Sequence, residues 1–175
     1  MRKLTELPTA LVGAERWQIF LESVCCIPFI EAKCSVGLVY ELINEIKQAS
    51  TLARSHGNQQ TALSFKEFAQ MLSENVQVLD QYPECTLQQS ANFPDSSAPA
   101  KTAQTYIASL TNKPHWLCHV NKPQELSAKV LSLNWGRFSG SQSIVFSPDG
   151  RYLCCGTKSE TGRTYYLTVW DVETG

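Results

Sequence analysis

No stretch of this chain is apolar for long enough to cross a bilayer. The longest run, residues 24–30, has seven residues and contains Pro28, whereas a spanning helix needs roughly 18. Arg2 and Lys3 are followed by Glu6 and Pro8, so the opening does not read as a secretory leader. An excess of one charge sign is also missing. Lys and Arg total 15, Asp and Glu 16, for a net charge of -1. The basic residues are scattered, which argues against a polyanion-binding face and against a polybasic membrane contact.

The chemistry-bearing motifs are sparse. There is no C-x-x-C among the seven cysteines, which stand at 25, 26, 34, 85, 118, 154 and 155. An odd count with two adjacent pairs reads as reduced thiols in a cytoplasmic protein. His115, Cys118 and His119 cluster loosely, but no second ligand pair stands at zinc-site spacing. Cys34 with His56, or Cys118 with His119, are the pairings a thiol hydrolase would use, and neither sits in a local nucleophile signature. No G-x-x-x-x-G-K-[ST] loop is present to hold phosphates. The expectation is a chain that is not an enzyme, with no cofactor, no metal and no small-molecule substrate.

What is present is a foldable composition. Hydrophobic residues make up 43% and charged residues 18%, enough to bury a core. Leu7, Leu11, Trp17, Phe20, Leu21 and Val24 fall near helical intervals, with Pro8 suited to a first turn and Pro28 separating the next element. Leu38, Leu42, Ile43 and Ile46 form the stripe of a second helix, with Glu41, Glu45 and Lys47 on its wet side. A polar loop is expected over 53–61 around Gly57. A third helix is expected over 64–81, capped by Ser64 with Glu67 as its capping-box partner, carrying Phe65, Phe68, Leu72, Val76 and Leu79, and ended by Pro83.

A short helix is expected over 85–92, a turn over 93–99 and another helix over 102–110. Trp116 lies in a short apolar piece between two Lys-Pro pairs, where it reads as a packing anchor. From residue 128 the texture becomes β. Residues 129–135, 143–146, 152–156 and 164–172 read as strands. Ser147, Pro148, Asp149 and Gly150 form a tight turn, in which Pro148 presets φ and Gly150 tolerates a positive φ.

Residues 144–175 resemble one WD repeat. The likeness rests on the strand entering Ser147-Pro148-Asp149-Gly150, the strand leaving it, and the strand that ends in Trp170-Asp171. It implies a four-stranded blade of a β-propeller. The family's Gly-His pair falls at Gly136 and Arg137, so the histidine is absent. One blade cannot bury both of its faces, so the chain is expected to be a piece of a longer protein. Its exposed blade edge offers a route to association.

The first half is similar to the helical segment of NACHT and WD-repeat proteins, the STAND-type signalling NTPases. The likeness is carried by Glu6-Leu7-Pro8, by Phe29 to Cys34, and by the Gln-rich stretch before the linker. The fold class expected is α+β. A helical arm would cover 1–85, a linker with short helices 86–127, and the start of a propeller 128–175. The resemblance implies a non-catalytic, regulatory segment that binds protein partners through the propeller. The telomerase-associated vault proteins have a related layout, which implies the alternative of an RNA- or ribonucleoprotein-associated scaffold.

Overall fold

The computed structural model describes residues 2–112, 115–120, 122, 138–159 and 165–172. They divide into two compact units, Met1–Ser132 and Leu133–Gly175. The class is α+β, mostly helical with a small antiparallel sheet.

The helical unit is built on an antiparallel pair. Helix α4 (Val39–Ser55) and helix α5 (Gln59–Gln81) pack along their length. Val39, Leu42, Ile43, Ile46, Ala49 and Ala53 make the buried stripe of α4. Phe65, Phe68, Leu72, Val76 and Leu79 are fully buried on α5, as their spacing predicts. Small residues let the two backbones approach near the hairpin, where the Ser50 hydroxyl donates to the Ala62 carbonyl at 2.8 Å.

Helix α1 (Arg2–Gly13), α2 (Trp17–Ser23) and α3 (Ile27–Cys34) precede this pair. Phe20 meets Phe65 edge-on, with ring centroids 5.2 Å apart. Pro28 sits in the first turn of α3, where its missing N–H costs nothing. Pro8 instead lies inside α1, which begins six residues earlier than expected. The expected first helix is in fact two, broken at 14–16 where Glu15 adopts φ +54°.

Three helix ends use the same backbone device, a left-handed residue whose N–H groups turn back onto the last carbonyls. Gly37 and Leu38 bond to Cys34 and Lys33, and Gly57 and Asn58 bond to Arg54 and Ala53. Gly37 and Gly57 take φ of +75° and +79°. At the third end Glu15 and Arg16 bond to Val12 and Leu11, so a glutamate holds the position that favours glycine. Its carboxylate lies 3.3 Å from His56 Nδ1. Glu15→Gly should stabilise the helical unit by about 0.5–1 kcal/mol, because the backbone strain it relieves outweighs a solvent-exposed contact with His56. Thermal melting followed by helical circular dichroism checks this. Glu15→Gln, which weakens only the pairing with His56, should move stability by less than about 0.5 kcal/mol.

The Gly57 end corrects two expectations. Helix α4 runs on to Ser55 and α5 starts at Gln59, so the loop expected over 53–61 shrinks to three residues. Ser64 then lies inside α5 and donates to the Gln60 carbonyl at 3.3 Å instead of capping. Glu67 is not a capping-box partner. Its carboxylate accepts the backbone N–H of Ala98 at 2.7 Å, at the start of another helix.

The segment expected to be a linker is part of the helical body as far as Ser109. A 3-10 turn (Pro83–Cys85) leads into α6 (Thr86–Ala91), and Ser97 caps α7 (Ala98–Ser109). Helices α6 and α7 pack on α3 and α5. Phe93, expected in a turn, is buried in the main core. Ile27, Ala91 and Ala103 form a second, smaller core against which Leu87, Tyr106 and Trp116 pack. Trp116 is therefore an anchor, as expected.

Lys33 of α3 is fully buried against α4. Its ammonium bonds to Glu45 and lies 3.2 Å from Glu41. Glu45, expected on the wet side of its helix, is only 14% exposed in its side chain. Burial raises its carboxyl above the ordinary range, with Glu41 adding to that and Lys33 pulling the other way.

Candidate functional site

The sheet unit is an antiparallel meander of β1 (Phe138–Phe146), β2 (Tyr152–Ser159) and β3 (Tyr165–Asp171). β-Branched and aromatic residues are frequent in β1 and β3, which suits a pleated surface. The strand expected over 129–135 lies outside the described residues, as do Gly136 and Arg137. The other three expected strands are present and somewhat shifted at their ends. Register is regular from Ser143 to Phe146 and irregular between Phe138 and Ser143.

The four residues singled out for the turn are brought together closely. The Ser147 carbonyl accepts the Gly150 N–H at 2.9 Å, and Gly150 takes φ +71°. Asp149 Oδ1 accepts from the Ser147 hydroxyl and, at 3.1 Å, from the Arg151 N–H. The Ser147 hydroxyl oxygen in turn accepts the Tyr152 N–H at 2.8 Å. The hydrogen bond from Ser147, then that from Arg151, holds the Asp149 carboxyl below its ordinary range. Pro148 needs no N–H at its position. The turn therefore closes β1 onto β2 through these bonds. Trp170 lies half-buried on β3 opposite Leu153, and the Asp171 backbone pairs with Tyr152.

Strand pairing sorts the side chains into two faces. Val145, Cys154 and Val169 share one, with Tyr152 and Leu167 beside them. Ile144, Phe146, Leu153, Cys155 and Trp170 share the other. Val145, Leu167, Val169, Ile144 and Phe146 are each more than half exposed. A sheet that packs on one neighbour is apolar on one side and polar on the other. This one is apolar on both, the pattern of a sheet sandwiched between two others.

The cysteine and histidine pairings weighed from sequence find little support in their surroundings. Burial first, then Asp80 and Glu31, pushes the Cys34 thiol up to about 12. An activated thiol needs the opposite environment. Cys34 borders an open groove with Glu31, Asp80 and Glu84, whereas His56 lies against Trp17 and Glu15. Cys118 is exposed and its thiol faces the His119 carbonyl at 3.6 Å. Among the described residues no three His, Cys, Asp or Glu side chains converge on a common point.

A second surface carries polar geometry that the sequence did not signal. The Asn92 amide donates to the Leu117 carbonyl at 2.8 Å and accepts the His119 N–H at 2.9 Å. Gln88 accepts the Leu117 N–H at 3.2 Å. Lys122 Nζ bonds to Asp95 at 2.6 Å. These contacts span 25 to 29 residues, so no local spacing marks them.

The two units thus define a class: a helical body, and an antiparallel meander that holds a tight turn and is apolar on both faces. The chain is similar to telomerase protein component 1 of Mus musculus, 28% identical over 171 residues, and to that of Rattus norvegicus, 26% identical over 173 residues. Each alignment takes in 97% of this chain and 6% of the relative, so the chain spans a small part of the curated relatives it matches. No family model matches the chain. No solved structure matches it.

Proposed function

We propose that this chain is a non-catalytic scaffold segment of a ribonucleoprotein-associated protein, in which a helical body precedes the first blade of a WD-repeat propeller. The observation that carries it is similarity over 97% of the chain to two proteins named as telomerase components. The two-faced apolar sheet and the Ser147–Gly150 turn support the blade reading. The blade would be covered on both faces by further blades or by a partner, which removes the exposed apolar surface.

The association runs through protein contacts. A net charge of -1 with scattered basic residues argues for protein contacts over a phosphate-binding face. The reading as a regulatory segment of a STAND-type NTPase rests on resemblance in the helical half and has no matching family model behind it.

The test is affinity capture of the tagged full chain from cells, with telomerase RNA and telomerase proteins quantified, before and after ribonuclease. Enrichment of the proteins that survives ribonuclease is the expected result. Recovery no greater than that of the tag alone sinks the reading.

A further inference from the structure

The Asn92–Leu117–His119 geometry has a specific meaning. The N–H and C=O of Leu117 and the N–H of His119 all face α6. That is the donor and acceptor row which a strand presents along one edge. Here two amide side chains take the place of a neighbouring strand. They read the backbone alone, and the side chains beyond point into solvent, with Leu117 77% and Val120 95% exposed. Among the described residues, specificity enters at two places. The Trp116 indole packs beside Leu87 and Tyr106 on the smaller core, and Lys122, six residues on, meets Asp95.

We infer that the face formed by α6 and α7 is a peptide-docking site that reads an extended backbone behind an aromatic anchor, and that residues 115–120 with Lys122 are its removable occupant in cis. The trans occupant has the same chemistry: an extended segment with an indole, and a lysine six residues further on. Among the described residues, one apolar anchor, three side-chain-to-backbone bonds and one ion pair with an exposed carboxylate hold the strap. So few contacts let it open without unfolding the α4–α5 pair. Tethering gives the strap a millimolar effective concentration, on the order expected for a short linker, so a dilute external peptide competes only when the strap is weakened.

A fluorescein-labelled peptide of residues 112–123 tests this by anisotropy against the full chain. Trp116→Ala should bind the peptide at least about tenfold more tightly than the unaltered chain, because its own strap no longer fills the site. Adding Asn92→Asp, which removes the donor to the Leu117 carbonyl, should weaken that binding at least about tenfold. Equal binding to Trp116→Ala with and without Asn92→Asp overturns the proposal, as does no binding to either. Should Trp116→Ala lose its helical circular dichroism, amide exchange on Asn92→Asp alone decides. Exchange at Leu117 and His119 should rise about tenfold or more while α4 and α5 stay protected. Unchanged exchange at those two amides overturns the proposal.

Discussion

Replacing Lys33 with methionine should destabilise the helical unit by about 3–5 kcal/mol, measured by urea unfolding near pH 7. The substitution nearly keeps the side chain's volume, so packing is not the cause. The ammonium is buried and satisfied by Glu45, with Glu41 beside it. Without it a largely buried carboxylate remains with a like charge one turn away. The double replacement Lys33→Met with Glu45→Leu should recover most of the loss, because replacing a whole buried pair by apolar groups is near neutral.

The defect should also depend on pH in a definite direction. Glu45 titrates higher in the folded protein than in the unfolded chain, chiefly from burial. The native state therefore holds the proton more tightly, and stability falls as pH rises from the ordinary carboxyl range through the raised value. Lys33 limits that fall by favouring the carboxylate. In Lys33→Met the fall is steeper and extends to higher pH. The gap between the variant and the unaltered chain should narrow on going from about pH 7 to about pH 4.5. A gap that stays constant would show that the ion pair is not its origin.

Phe65→Ala should cost about 3–5 kcal/mol in the same unfolding experiment. Phe65 is fully buried in the first third of α5 and meets the Phe20 ring edge-on. The loss combines transfer of the ring, the cavity left behind and the aromatic pairing. Phe65→Leu fills most of the space and should cost no more than about 1.5 kcal/mol. If Phe65→Ala costs under about 1 kcal/mol, α2 and α5 are not packed as described.

The parts of this fold that were legible in the sequence are those set by local chemistry. The stripe of α5 follows a 3.6-residue period, and all five of its expected members are fully buried. Pro28 and Pro83 mark helix boundaries because a missing N–H and a restricted predecessor act on the nearest residues. The Ser147–Gly150 turn was legible for the same reason, since its hydrogen bonds close within six residues.

What was not legible depended on distant partners. Ser64 and Glu67 carry the spacing of a capping box, yet Gly57 ends α4 late enough for Gln59 to start α5, which places both inside a helix. Glu67 then finds Ala98 across 31 residues. Glu45 reads as a solvated charge until α3 lays Lys33 against it. Asn92 and Gln88 read as ordinary polar helix residues, because the backbone they hold is nearly 30 residues away.

The Glu67–Ala98 bond bears on the order in which the helical unit assembles. Helix α7 draws its initial carboxylate from α5 and supplies no acidic residue in its own first turn. An acid at that end favours a helix, and here it is in place only after α5 has formed. The α4–α5 hairpin is local and closes early, while α7 must wait for a surface built from residues 31 positions upstream. On a ribosome this suits vectorial synthesis, since the template emerges before the helix that docks on it.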